Sequence, residues 1–377
     1  MIPYGHQTID DEDIDEVVKV LKSDWLTTGP KIKEFENALC KYIGCNHAIA
    51  MNSGTSALDV AVASLNLPKG SEVITTPFTF AATSNALLYN GIMPVFADIK
   101  EGTRNIDPED IKRKITEKTK AILYVDYAGH PCEIEEIRQI AIEHDLLMIE
   151  DACHSLGASY HGEKVGTLAD LTIFSFHPVK PITTGEGGAV ATNNQELAKR
   201  IRMLHSHGID KDAASRYGPD AGWAYDMKLL GRNYRMTDIQ AALGISQLKK
   251  LDYFIQERNK IASQYNQLFE EYDLISTPHT EKEITHGWHI YTVLLNETIN
   301  RNQFFKSMRK MNIGVNLHYI PVYRHSYYTE NFNFDKSDYP VTEDVFKRII
   351  TLPIFPAMTT ENVNYVVSTI SNLIDHQ

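Results

Sequence analysis

The chain has 377 residues, 43% hydrophobic and 23% charged, enough for two domains with separate cores and unlike the composition of low-complexity disorder. Lys and Arg number 37 against 49 Asp and Glu, a formal charge of -12, so the long-range field repels polyanions and no basic stretch marks a nucleic-acid footprint. An anionic small ligand stays admissible wherever a few local N–H groups and cations hold it.

The start, "MIPYGHQTIDDEDIDEV", is polar and acidic and lacks the basic head and apolar run of a secretion signal. No apolar run reaches membrane-spanning length, so a cytoplasmic protein without a membrane partner is expected. Ile14, Val17, Val18 and Leu21 recur at helical spacing behind Asp10 to Asp13, acidic residues that suit the positive end of a helix. A second helix is expected from Pro30 to Gly44, with proline at its start and glycine at its end. The runs "HAIAM", "EVITT", "MPVFADI", "AILYVDY", "LLMIED", "LTIFSF" and "GAVAT" read as strands, most of them separated by helical patterns. That alternation predicts an α/β fold with a large, mainly parallel sheet covered by helices on both faces. Residues 237 to 272 read as one nearly continuous helix, with Phe254, Ile261, Tyr265, Leu268 and Tyr272 along one side. A smaller mixed region with "WHIYTVLL" and a final helix follows. The expected division is a large domain over 1–250 and a small C-terminal α+β domain over 251–377. Cys40, Cys45, Cys132 and Cys153 show neither CxxC spacing nor disulfide density, so reduced thiols are expected.

Ligands of open α/β sheets collect at the carboxyl ends of strands, which directs attention to three stretches. In "HAIAMNSGTSAL" a strand gives way to a helix near Gly54, where free N–H groups and the Thr55 and Ser56 hydroxyls could hold a phosphate. Taken alone, simple capping by Ser53 or Thr55 is the better reading of that stretch, since it lacks the glycine patterns of nucleotide loops. In "LLMIEDACHS" a strand delivers Asp151 to its end, where the carboxylate can pair with a cationic ligand atom and His154 can stack on the ligand; a structural capping Asp is the plainer reading. Neither stretch has the ligand spacing of a metal site, and none is expected. The third is "SFHPVKPITTGEGG". Pro181 biases Lys180 away from helical dihedrals, and Gly185, Gly187 and Gly188 permit close backbone approach. An ordinary lysine, with a pKa of about 10.4, is unprotonated in roughly one molecule in two thousand at neutral pH. Burial lowers that pKa, and trapping the amine on a carbonyl removes the difficulty. A phosphate cradle, a carboxylate and an amine together answer the needs of pyridoxal 5′-phosphate, whose phosphate, ring nitrogen and aldehyde each want one of them.

The stretches "LTTGP", "NSGTSAL", "EDACHSLGA", "FSFHPVKPITTGEGGA", "HSHG", "GRNYRMTDIQAALG" and "HYIPVY" occur in the order found in the DegT/StrS sugar aminotransferases, which the chain resembles over nearly its whole length. The resemblance implies the aspartate-aminotransferase architecture (fold type I) and a homodimer with shared active sites. It implies that Lys180 bonds the cofactor aldehyde and Asp151 pairs with the pyridine nitrogen. Gly54, Thr55, Ser56 and Ser175 would hold the phosphate, Phe80 would stack on the ring, and His154 would lie near its opposite side. Asn233 would reach the phosphate of the neighbouring subunit, and Tyr4, Thr28, Arg235, His318 and Tyr319 would contact substrate. Within the family, "IPYGHQTIDDEDI", "SDWLTTGP" and "VDYAGHPCEI" are most similar to the aminotransferases of the pseudaminic acid pathway. That implies amino transfer from L-glutamate to C4 of a UDP-linked 4-keto-6-deoxy-N-acetylhexosamine, giving UDP-4-amino-4,6-dideoxy-N-acetyl-β-L-altrosamine. A TDP- or GDP-linked 3- or 4-keto sugar, or a non-catalytic cofactor-binding regulator, are the alternatives. One departure from the family pattern is Tyr323, where relatives commonly carry histidine.

Overall fold

The computed structural model describes residues 1–210 and 225–375. Helix α1 (Asp11–Leu21) is capped reciprocally: the Asp13 N–H donates to the Asp10 carboxylate and the Asp10 N–H to that of Asp13. Helix α2 (Pro30–Ile43) ends at Gly44, whose φ of 90° only glycine adopts without strain.

The central sheet is built from β1 (His47–Met51), β2 (Glu72–Thr75), β3 (Met93–Phe96), β4 (Thr119–Val125), β5 (Leu147–Asp151), β8 (Leu171–Ser175) and β9 (Gly188–Thr192), in the order β1-β9-β8-β5-β4-β2-β3. A short hairpin, β6 (Ser159–Tyr160) and β7 (Glu163–Lys164), lies outside it. The strands from β3 across to β8 run parallel. Strand β9 is antiparallel to both of its neighbours. The prolines and glycines of the 176–187 link deny it a helix, and the chain doubles back beside β8. Helices α3 (Gly54–Leu65), α4 (Ala82–Tyr89), α5 (Pro108–Lys114) and α6 (Ile134–Glu143) link β1 to β2, β2 to β3, β3 to β4 and β4 to β5, the β6–β7 hairpin lies on the link from β5 to β8, and α7 (Gln195–Leu204) follows β9. Side chains alternate faces along each strand: Ala121, Leu123 and Val125 enter one core, Ile122 and Tyr124 the other.

The expected continuous helix over 237–272 is two helices, α8 (Asp238–Leu248) and α9 (Leu251–Phe269). The path tightens at Lys250, whose N–H bonds the Gln247 carbonyl at 3.0 Å while its ammonium pairs with Asp10 and Asp13 at 2.5 and 3.0 Å. Phe254, Ile261 and Tyr265 are buried as expected, but Leu268 is 37% exposed. The buried stripe of α9 also takes in Arg258 and Phe269, which rotates its centre away from Leu268.

The C-terminal region holds β10 (Ile275–Ser276), β11 (Ile284–Thr285), β12 (Tyr291–Leu295), α10 (Arg301–Lys310), α11 (Ser326–Asn331), α12 (Pro340–Arg348), β13 (Ile349–Leu352) and α13 (Thr360–Asp375). Antiparallel β10-β12-β13 packs with α9, α10 and α13 around Tyr265, Tyr291, Val293, Phe304 and Ile350. Lys250 falls at the α8–α9 junction, and we propose that the chain divides there into the two expected domains. The chain start crosses that line, since Ile2 bridges to Ile313 and packs on the second core.

Candidate active site

A cavity of 520 Å³ opens where β4, β5 and β8 end, and Val125, Asp151 and Ser175 all line it. Its first wall is the start of α3. Ser53 caps this helix by accepting the Ser56 N–H at 3.0 Å, and the Ser56 hydroxyl donates to Asn52 at 2.5 Å. The N–H groups of Gly54 and Thr55 precede the first intrahelical bond, made by Ala57, and so are the ones an anion can claim. Gly54 is required here: a Cβ would stand 2.8 Å from the Ser175 Cβ. Gly188 is held as tightly, since its Cβ would meet the Ser53 carbonyl oxygen at 2.4 Å.

Asp151 sits buried at the end of β5, accepting the Thr83 hydroxyl at 2.7 Å and the Cys153 N–H at 3.3 Å. Lys180 rides the β8–β9 link, which is tied down by bonds from the Phe176 N–H to Gly187, the Thr184 N–H to Phe176 and the Lys180 N–H to His177. Burial lowers the Lys180 ammonium below the usual lysine range, with Cys153 and Asp151 opposing the shift. Part of the side chain still faces the cavity. Such a depressed amine beside an open cavity is the form a carbonyl-trapping nucleophile requires.

Aromatic and imidazole groups complete the walls. Phe80 is 63% exposed and 6.2 Å ring to ring from Tyr319. The Tyr319 hydroxyl meets His154 Nε2 at 3.0 Å, and the two rings lie nearly parallel. Beneath His154, at 4.4 Å, lies His289. Burial first and the Lys180 charge second hold His154 and His289 well below the usual imidazole range and push His318 down to about 3, so all three are neutral. His154 Nδ1 is buried without a hydrogen-bond partner among the described residues.

Of the residues expected from sequence, Gly54, Thr55, Phe80, Asp151, His154, Ser175, Lys180, Tyr4, His318 and Tyr319 line this one cavity. Ser56 lies just beneath, engaged with Asn52 and Ser53. Thr28, Asn233 and Arg235 do not line the cavity of a single chain. Thr28 precedes Gly29, whose N–H is held by Asp238 at 2.8 Å, while Asn233 and Arg235 bridge to Ser206 and Met51. Sequence reasoning missed Thr83, His289 and Asn316. The first is an unmarked threonine in the first turn of α4; the others come from distant segments whose patterns read as strand and loop. Tyr323 lies outside the cavity, buried, stacked on Tyr339 and donating to Glu343 at 2.8 Å.

A helix start, a carboxylate at the end of β5 and a lysine on the β8–β9 link converge on one cavity, and the family model that matches residues 7–371 is that of the DegT/DnrJ/EryC1/StrS aminotransferases. The chain belongs to this family. Among relatives, this aminotransferase is 46% identical over 376 residues to the uncharacterized protein MJ1066 of Methanocaldococcus jannaschii, covering 99% of this chain and 97% of that one. It is 41% identical over 383 residues to the UDP-4-amino-4,6-dideoxy-N-acetyl-beta-L-altrosamine transaminase of Campylobacter jejuni strain 81-176, covering 100% and 98%. Among solved structures it matches PseC of Helicobacter pylori, an aminotransferase of pseudaminic acid biosynthesis, with a TM-score of 0.94 and 35% identity over 100% of both chains. Spr1654 of Streptococcus pneumoniae, assigned as a sugar aminotransferase and solved in its PLP form, matches with 0.92 and 30% over 100% and 99%. These likenesses carry the fold type I architecture expected from sequence.

The site fits that cofactor on its own chemistry. Gly54 keeps the α3 start open beside Ser175, Asp151 is a buried carboxylate lining the same cavity, and Lys180 is the only lysine among the lining residues. Among the described residues, no helix is long and apolar enough to cross a membrane.

Proposed function

We propose that this sugar aminotransferase moves the amino group of L-glutamate to C4 of a UDP-linked 4-keto-6-deoxy-N-acetylhexosamine, forming UDP-4-amino-4,6-dideoxy-N-acetyl-β-L-altrosamine. The observation that carries the reading is the convergence of Lys180, Asp151 and the α3 start on one cavity. The likeness to the Campylobacter transaminase over the full chain supports the choice of sugar.

Pyridoxal 5′-phosphate supplies the electron sink that lets a proton leave the amino acid's α carbon. Gly54, Thr55 and Ser175 would hold its phosphate, with the α3 N–H groups donating and Ser56 bracing the turn from below. Asp151 would hold the proton on the ring nitrogen, and Thr83 fixes the carboxylate that does so. Phe80 and His154 would flank the ring, His154 locked by Tyr319. Lys180 would bond the aldehyde at rest and, once displaced by the donor, take the proton from the α carbon and deliver it to the cofactor carbon that had borne the aldehyde oxygen; its lowered ammonium suits a base working near neutrality. Neutral Tyr4, His318 and Tyr319 offer donors to the substrate without burying an unpaired charge.

Asn233 lies outside its own chain's cavity, and Trp25, Leu26, Met227 and Leu230 are exposed apolar side chains. Both facts support a homodimer in which Asn233, with Thr28 and Arg235, serves the neighbour's site. The acidic surface and the nucleotide-sugar substrate fit a cytoplasmic enzyme. Tyr323 and its neighbour Arg324 are engaged by Glu343 and do not reach this cavity, and a TDP- or GDP-linked 3- or 4-keto sugar is the alternative substrate.

The test is incubation of the purified protein with glutamate and a panel of nucleotide-linked keto sugars, with the product identified by NMR. Amination at C4 of the UDP sugar is expected. Strong preference for a TDP or GDP sugar moves the reading to the alternative, and no amination of any sugar defeats both.

A further inference from the structure

Strands β4 and β5 end side by side with a second pair of carboxyl groups, one layer behind the cavity. Asp126 follows β4 directly, and Glu150 precedes Asp151 on β5, so alternation turns Glu150 to the opposite face of the sheet from Asp151. Both side chains are fully buried, and the register that sets Glu150 beside Tyr124, two residues before Asp126, brings the two carboxyl groups within reach of each other. Two carboxylates so placed, both out of water, cannot both be ionised, so the pair holds a proton.

The surrounding donors say which member has it. Asp126 Oδ1 accepts the Cys132 N–H at 3.0 Å, and its Oδ2 accepts the Ser155 hydroxyl at 2.6 Å. Glu150 Oε2 accepts the Thr172 hydroxyl at 2.7 Å, whereas no N–H or O–H of the described residues bonds Oε1 within hydrogen-bond geometry. Three oxygens therefore act as acceptors, and Oε1 is the atom left to carry the hydrogen.

The same residues grip both flanks of the cofactor site. The Asp126 N–H donates to the Asp151 carbonyl at 3.2 Å, and the Asp126 carboxylate holds Ser155, the residue after His154. We propose that Glu150 is a protonated acid donating from Oε1 to an ionised Asp126, and that this pair is a positioning device fixing the 151–155 segment on which Asp151 and His154 stand. The proposal rests on the reading of those two residues as cofactor contacts. Burial raises both carboxyls, Glu150 well above its ordinary range and Asp126 to about 6. The groups facing the pair are Tyr124 and Cys132 on the β4 side, Asp151 on β5 and Arg138 on α6, with Thr172 and the Gly166 N–H on the β8 side. Of these only Arg138 is cationic.

The test uses Glu150→Gln, which keeps a donor toward Asp126 and an acceptor toward Thr172, beside Glu150→Ala and Asp126→Asn. Infrared spectra of the wild type at neutral pH should show a buried carboxylic-acid carbonyl band that Glu150→Gln lacks. A missing band in the wild type, or a band kept in Glu150→Gln, overturns the assignment. An acid whose folded pKa lies above its unfolded value of about 4.3 loses stability as pH rises from there, so the melting-temperature advantage of Glu150→Gln should grow from about pH 5 to 9. A difference flat with pH also overturns it. Glu150→Ala should lower kcat on the order of tenfold through misplacement of the segment, with KM little changed, and Gln should restore most of it. Equal kcat in Ala and wild type removes the positioning role. The infrared and stability readings do not depend on turnover, so failure of the functional reading and failure of this proposal separate.

Discussion

Gly54→Ala tests the cradle at the start of α3. The added Cβ would stand 2.8 Å from the Ser175 Cβ and 3.0 Å from its hydroxyl oxygen, while ordinary van der Waals contact begins near 3.4 Å. Closing that shortfall of about 0.6 Å means pushing the α3 start off the β8 end, an overpacking that costs about 1–3 kcal/mol. The lost flexibility of glycine in the unfolded chain returns about 0.4–1 kcal/mol, so a net loss of about 1–2 kcal/mol is expected. Spread over 377 residues this lowers the melting temperature of the cofactor-free protein by only about 1–3 °C. The sharper measurement is a spectroscopic titration with pyridoxal 5′-phosphate. A phosphate cradle displaced by half an ångström should bind about tenfold more weakly, equivalent to about 1.4 kcal/mol. The double variant Gly54→Ala with Ser175→Gly discriminates the cause, because it removes both clashing atoms and leaves the residue 175 Cα at 3.5 Å, an ordinary contact. It should recover the melting temperature and only part of the affinity, since the Ser175 hydroxyl is gone. If Gly54→Ala binds the cofactor as the wild type does, or if Ser175→Gly brings no stability back, the packing argument for this cradle is wrong.

Lys180→Ala should abolish turnover while leaving the circular dichroism spectrum unchanged, and borohydride should fix the cofactor to the wild-type peptide bearing Lys180 and to no peptide of the variant. Asp151→Asn should still bind cofactor but exchange the glutamate α proton slower by orders of magnitude; Thr83→Val, which removes the 2.7 Å donor to Asp151 without its charge, should cost kcat on the order of tenfold. A Thr83→Val enzyme with unaltered kcat would show that Asp151 is held without it. Acid should destabilise the protein in a definite window. Burial holds His130 down to about 4 and His318 to about 3, and holds His154, His286 and His289 well below the usual imidazole range, so the unfolded chain takes up protons that the folded one refuses. Stability contributed by these groups is full above about pH 6.5 and falls as pH drops through and below that value. Thermal melts from pH 7.5 to 4.5 check this, and His130→Gln should flatten the slope.

The sequence alone settled whatever depends on neighbours along the chain. Periodicity and strand-end polarity marked the β1–α3 turn, Asp151 and Lys180, because helix caps, strand alternation and proline constraints are local physics. The order of family motifs then joined these points to one chemistry. The prolines and glycines of 176–187 exclude a helix, but that β9 slots antiparallel between β8 and the distant β1 is settled only by the assembled sheet. Local physics could not separate α8 from α9 either, because the break follows a lysine drawn to carboxylates on α1, some 240 residues away in sequence. Thr83, His289 and the Asp126–Glu150 pair were equally hidden. Each gains its role from a partner on another segment, and burial, which decides protonation, exists only once the strands are stacked.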